Sequence, residues 1–384
     1  MMLVLQQLFL LCSLLIASLH ASPISVSSKA YHPVVIWHGL GDSAYSEGMQ
    51  SLASDLKEAF PGIDVYIISL ADTLASDQKA GFFGNVNDQI EHVCRGLKER
   101  KELENGFDAI GFSQGGQFLR GYVERCNSPA VRNLVTFGSQ HMGISDLPAC
   151  KPGDLICRLA QGALRGGIYS DYAQSNLVTA QYFRDPTQVE NYQKYLQVNQ
   201  FLPDINNEIE RNKDYKKQLE SLDSLVLLMF DKDVTVEPKQ SSWFASYPVA
   251  KEGNGSKNET EIVPLRQSEI YKKDWIGLKT LDKRGSLVLE LCHGIHMQID
   301  SACQMKVFGK YIGVAPPSTL LPSPIRHAWA RSVYIVTGLR TASMPSSLQV
   351  ILLLFVIVVV RLFVSLVTTF VVPHLPRHGA IRLQ

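Results

Sequence analysis

The sequence predicts an α/β fold: a mostly parallel central sheet, helices on both faces, and a helical cap insertion over the sheet's carboxyl edge. Three observations carry that prediction. Short apolar runs of strand length alternate with stretches whose apolar residues recur every three or four positions, the pattern of strands joined by crossover helices. The segment Gly111-Phe112-Ser113-Gln114-Gly115 has the form G-x-S-x-G, with an apolar run before it and an amphipathic pattern after it. Acids and then histidines follow the ends of two later apolar runs, giving the chain order serine, acid, base.

Each element can be justified in turn. "VVIWHGLGDS", Val34 to Ser43, is a buried strand ending in a glycine turn. "GIDVYIISL", Gly62 to Leu70, gives a second strand. "DQIEHVCRGLKER", Asp88 to Arg100, places Ile90, Val93, Cys94 and Leu97 on one helix face. "FDAIGFS" leads into Ser113 as a strand. "GGQFLRGYVERC" leaves as a helix, with Phe118, Leu119, Tyr122 and Val123 on one side. "NLVTFGS", Asn133 to Ser139, is the next strand. The interval 143–222 holds no clear strand and is rich in helical patterns, which marks it as the insertion. "SLVLLMFDKDV", Ser224 to Val234, resumes the sheet and ends in acids. The last strand, Leu287 to Leu291, is followed by His293 and His296.

Length and charge set the bounds. At 384 residues the chain can hold one large α/β domain with insertions, here 30–314. A formal net charge of +1 and the lack of any basic block exclude broad electrostatic attraction to nucleic acid.

The two ends read differently from the body. Residues 1–22 have the form of a signal peptide: an apolar run from Leu8 to Ala17, then small residues near Ala21 and Ser22, though without a basic start. Beyond Cys12, six cysteines remain, Cys94, Cys126, Cys150, Cys157, Cys292 and Cys303. An even count fits disulfides in an oxidising compartment, with fifteen pairings open. Cys150 and Cys157 are spaced to close a small loop. Asn254-Gly255-Ser256 and Asn258-Glu259-Thr260 are glycosylation sequons in a polar loop.

Residues 315–347 form a Pro/Ser-bearing linker. Residues 348–372 are apolar with one charge, Arg361. As a helix this stretch would be ~37 Å long, against a hydrocarbon core of ~30 Å. Arg377 and Arg382 in the short tail 373–384 would then be cytosolic. Two readings fit: a membrane anchor, or a tail joined to the body by a mistaken splice in the gene model.

The residue types explain why the order serine, acid, base matters. A serine hydroxyl attacks a carbonyl only when a histidine takes its proton. The histidine needs a carboxylate to fix its tautomer, and the oxyanion needs two aimed backbone N–H groups. This chain order is that of α/β-hydrolases. Gln114, directly after the serine, supplies one N–H, and the "HGLG" loop supplies the other, from Leu40. Spacing leaves Asp231 and Asp233 both open as the acid, and His293 and His296 both open as the base. Cys292, His293 and His296 make a weak metal cluster, because Cys292 can pair with Cys303 instead. His38 and His141, beside turn glycines, read as structural, and Ser139 lacks the glycine frame.

"VVIWHGLGDS", "GFFGNVNDQI", "AIGFSQGGQFLRGYVERC", "GSQHMG" and "SSWF" together resemble the lysosomal palmitoyl-protein thioesterases, over about 34–314. The resemblance implies Ser113 as nucleophile, Asp233 as acid, His296 as base, and Leu40 and Gln114 as oxyanion donors. It implies disulfides Cys94–Cys126 and Cys150–Cys157, and a long acyl groove built by 143–222. It implies hydrolysis of long-chain acyl thioesters on protein cysteines without metal or organic cofactor, in the lysosome or vacuole or outside the cell. The partners it implies are S-acylated proteins or peptides.

The chain also departs from that family. Ala44-Tyr45 stands where animal members have paired cysteines, Lys232 replaces a sequon, and Cys292 and Cys303 are additional. The tail from Ala315 is foreign to the family. A broader esterase or lipase, and a catalytically silent binding protein, are the alternatives.

Overall fold

The computed structural model describes residues 31–147, 158–159, 161–162, 167–250 and 261–314. Six strands, β1 (Val34–Trp37), β2 (Val65–Ile67), β3 (Phe107–Phe112), β4 (Val131–Phe137), β5 (Ser224–Phe230) and β6 (Leu287–Cys292), form one sheet in the order β2-β1-β3-β4-β5-β6. Every pairing is parallel, with Trp37 opposite Gly111, Phe112 opposite Phe137, and Phe230 opposite Cys292. This is the architecture the sequence predicts.

Parallel strands bonded on both sides have no solvent face, so they read as continuous apolar runs. Alternate residues of each strand then feed two separate cores. Val35, Trp37, Ala109, Leu134, Leu225 and Leu227 face one layer. Val34, Ile36, Ile110, Val135, Val226 and Leu228 face the other.

Helices cover both faces. α1 (Glu47–Ala59) sets Leu52 and Leu56 into the second core. α2 (Leu74–Phe82) follows β2, capped by Thr73 and Ser76. α3 (Val86–Lys98) starts two residues before the expected helix, because the Asn85 side chain accepts from the Asn87 and Asp88 N–H groups. It and α4 (Gln114–Arg125) bury Ile90, Val93, Leu97, Phe118, Leu119, Tyr122 and Val123 in the first core. The Cys94–Cys126 disulfide joins them.

The described part of 143–222 holds α5 (Asp171–Asn176), a turn of 3₁₀ helix (Val178–Tyr182), α6 (Val189–Val198), α7 (Leu202–Ile205) and α8 (Lys213–Glu220), and no strand of the sheet. The bridge Phe83–Leu177 ties it to the body, and Ile144–Phe183 joins its own first residues to the 3₁₀ turn. Its last helix, α8, buries Leu219 in the first core and leads into β5, so it serves as the crossover between β4 and β5. α9 (Glu269–Lys272) and α10 (Leu278–Arg284) precede β6, and α11 (Ser301–Met305) follows it. A second disulfide, Cys292–Cys303, links the end of β6 to α11.

The signal segment 1–22, Cys150 and Cys157, both sequons at Asn254 and Asn258, and the stretch 315–384 lie outside the described residues. Among the described residues no helix is long and apolar enough to cross a membrane.

Candidate active site

The loops at the carboxyl ends of β1, β3, β5 and β6 lie along one edge of the sheet, where an open parallel sheet places its ligands. Ser113 occupies the turn from β3 into α4 with φ 50° and ψ −119°. That conformation costs about 1–3 kcal/mol for a residue with a side chain, so its surroundings must hold it. They do so by closeness. A Cβ at Gly111 would meet Gly116 Cα at 2.1 Å, and one at Gly115 would meet the Trp37 carbonyl oxygen at 2.3 Å. The glycines of "GFSQGG" are therefore required by how closely α4 approaches β3 and β1. Ser113 N–H donates to Phe137 O at 2.7 Å, which ties the turn to β4.

Two loops bring the acid and the base. His296 Nε2 lies 3.0 Å from Ser113 Oγ, and His296 Nδ1 lies 2.6 Å from Asp233 Oδ2. A carboxylate only accepts, so Nδ1 carries the proton and Nε2 accepts from the serine hydroxyl. Asp233 is held in turn: its Oδ1 accepts the N–H groups of Thr235 at 2.8 Å and Val236 at 3.1 Å. Gly138, with φ +57°, leaves room for the imidazole, since a Cβ there would sit 3.1 Å from His296 Cε1. The Phe230 ring packs edge-on against His296.

The rival residues fall elsewhere. His293 Nδ1 pairs with Asp231 Oδ2 at 2.9 Å, outside the contact with serine. Asp231 Oδ1 accepts the Gly294 N–H at 2.8 Å, and these bonds, the one from His293 first, hold its carboxyl below the usual range. Ser139 is buried behind Gly116. His141 stacks on Phe244 with ring centroids 4.6 Å apart, and its Nε2 lies 3.1 Å from Thr136 Oγ1. Burial pushes its pKa well down, which keeps it neutral. Among the described residues no three His, Cys, Asp or Glu side chains are grouped to hold a metal.

Gln114 and Leu40 flank the serine. Gln114 opens α4, where an N–H has no carbonyl partner within its own helix. Its side chain is clamped by Tyr182 Oη, 3.0 Å from Oε1, and by the Gly81 carbonyl, 3.2 Å from Nε2. Gly39 packs on Ser113: a Cβ there would lie 3.3 Å from Ser113 Cβ. The loop carrying Leu40 is thus seated beside Ser113.

One residue at this edge escaped sequence reading. Asp77, fully buried in the first turn of α2, bonds to Ser43 Oγ, to the Ala44 and Leu70 N–H groups, and lies 3.2 Å from His38 Nε2. No spacing rule links an acid on α2 to a loop more than thirty residues earlier.

A family model described as palmitoyl protein thioesterase matches residues 33–296, from before β1 to His296 itself. The chain belongs to this family. Over 268 residues it is 40% identical to palmitoyl-protein thioesterase 1 of Caenorhabditis elegans, covering 70% of this chain and 87% of that one. Over 285 residues it is 33% identical to palmitoyl-protein thioesterase 3 of Dictyostelium discoideum, covering 74% and 88%. A lysosomal thioesterase homologue of Drosophila melanogaster is 30% identical over 290 residues, covering 73% and 91%. The matched residues include all six strands, the serine turn and the loops that carry Asp233 and His296.

Proposed function

We propose that this thioesterase cleaves long-chain acyl thioesters from protein cysteines, with Ser113, His296 and Asp233 as its catalytic residues. The observation that carries the reading is the unbroken path from Ser113 Oγ through the His296 ring to Asp233, at 3.0 and 2.6 Å. The names of the relatives point to palmitoylated protein as the substrate class.

Ser113 Oγ attacks the thioester carbonyl as His296 Nε2 takes its proton. The negative oxygen of the tetrahedral adduct is stabilised by the Leu40 and Gln114 N–H groups. Collapse expels the cysteine sulfur, which takes the proton from His296 and leaves a palmitoyl-Ser113 ester. Water then attacks, giving its proton to His296, and the fatty acid departs as Ser113 is reprotonated. Tyr182, in the described part of 143–222, bonds Gln114 beside Ser113, which supports this interval as the side on which an acyl chain would lie.

The signal segment, the disulfides and the sequons at Asn254 and Asn258 support passage through the secretory pathway, toward a lysosome-like compartment or the exterior. The segment 348–372 is the feature that would tether the protein to a membrane. Ser113→Ala should abolish palmitoyl thioester cleavage in a protein that still melts cooperatively. Retained cleavage would remove Ser113 from the mechanism.

A further inference from the structure

His38 and Asp77 form a buried pair beside the serine that the reaction above does not use. His38 Nδ1 lies 3.0 Å from the Gly39 carbonyl, and Nε2 lies 3.2 Å from Asp77 Oδ2. Both neighbours only accept. A charged imidazole suits both: Nδ1 donates to the Gly39 carbonyl, and Nε2 faces the carboxylate as an ion pair outside hydrogen-bond geometry. Asp77 is equally committed: Oδ2 accepts Ser43 Oγ–H at 2.8 Å and Ala44 N–H at 2.9 Å, and Oδ1 accepts Leu70 N–H at 2.7 Å. The carboxylate therefore binds both ends of the segment 38–44, and Gly39 and Leu40 lie between them. Gly39 is the residue packed on Ser113.

We infer that the His38–Asp77 ion pair is a positioning device for the oxyanion donor: it fixes the loop that aims the Leu40 N–H at the reacting carbonyl oxygen. The inference rests on Leu40 and Gln114 being the oxyanion donors proposed above.

Electrostatics agree with the geometry. Burial works against a charged His38, but Asp77 and the Gly39 carbonyl outweigh it, and its pKa lies above the usual value. Burial likewise opposes a charged Asp77, and His38 with the Leu70 and Ala44 N–H groups brings its pKa below the usual value. The charged groups acting on His38 are Asp77 from α2 and Asp42 from its own loop. The packed start of α4 presents Gly115, whose Cβ would meet the His38 carbonyl oxygen at 2.4 Å. A raised pKa means the charged clamp is complete below that pKa and is lost as pH rises through it. Turnover should therefore fall on the alkaline side as His38 loses its charge.

The test uses His38→Gln and Asp77→Asn in the full chain, with three readouts. They are kcat and KM on a palmitoyl-cysteine peptide, affinity for palmitoyl trifluoromethyl ketone, and affinity for an S-hexadecyl-cysteine peptide. The ketone is attacked by Ser113 and forms an oxyanion, whereas the thioether has no carbonyl. We expect kcat to drop about 100-fold and ketone affinity to fall with it, while KM and thioether affinity stay within about twofold. The alkaline fall in kcat should vanish in His38→Gln. Unchanged kcat in both variants, or equal loss of ketone and thioether affinity, overturns the inference. If the variants do not fold, the wild type decides it: nitrogen-15 histidine spectra should show His38 losing its second ring proton at higher pH than a free histidine, and loss at or below that pH overturns it. Wild-type protein that cleaves no thioester would instead sink the functional reading beneath.

Discussion

Two aspartate–histidine pairs stand side by side at the ends of β5 and β6, and only one reaches Ser113. The inner pair, Asp233 and His296, has side chains 0% and 14% exposed, while the outer pair, Asp231 and His293, has side chains 30% and 76% exposed. Their nitrogen–oxygen distances are close, 2.6 and 2.9 Å. Contact between an acid and an imidazole is therefore not what separates a base from a surface pair. Burial and aim separate them. Asp233 is fixed by two backbone N–H groups and directs His296 at Ser113, whereas Asp231 spends one oxygen on Gly294 N–H and joins the acid loop to the base loop.

The comparison can be broken, starting with the largest effect. Asp233→Asn should lower kcat by about 10⁴-fold by losing the tautomer that the carboxylate fixes, with the melting temperature little changed. Steady-state kinetics and thermal unfolding check this. Replacing Cys292 and Cys303 by serine opens the link around the His296 loop, which spans eleven positions. The expected cost is about 3 kcal/mol of stability, read by denaturant unfolding. Asp231→Ala frees Gly294 and should cost about tenfold in kcat, or ~1.4 kcal/mol, with KM unchanged. His293→Gln, on an exposed ring, should leave kcat within about twofold. A loss in His293→Gln as large as in Asp233→Asn would show that the outer pair does the chemistry.

How far the sequence revealed this arrangement follows from the same contrast of burial. Strands β3, β4 and β5 sit between neighbours, bury nearly every side chain, and announce themselves as apolar runs. Edge strand β2 is three half-buried residues, found only as part of Gly62 to Leu70. Helices α1 and α2 were not foreseen. α1 buries only Leu52, Ala53 and Leu56, and α2 buries Asp77, Gly81 and Phe82, so neither carries a broad apolar stripe.

Ser113 was legible because glycines forced by close backbone approach leave a local motif. Its partners were not, since D-x-D and H-x-x-H spacing offers each candidate equally. Resemblance to the family favoured Asp233 and His296, and these are the two that the structure joins to Ser113. Asp77 left no signal at all, because the loop it binds is remote in sequence and adjacent only after β1 and β2 pair.

The most direct test of the central claim is turnover of a palmitoyl thioester, set against the matching palmitoyl oxygen ester and a short-chain ester, in wild type, Ser113→Ala and Asp233→Asn. The account predicts preference for the long thioester in wild type and its loss in both variants. Turnover of the short oxygen ester alone, or full activity in Asp233→Asn, would contradict it.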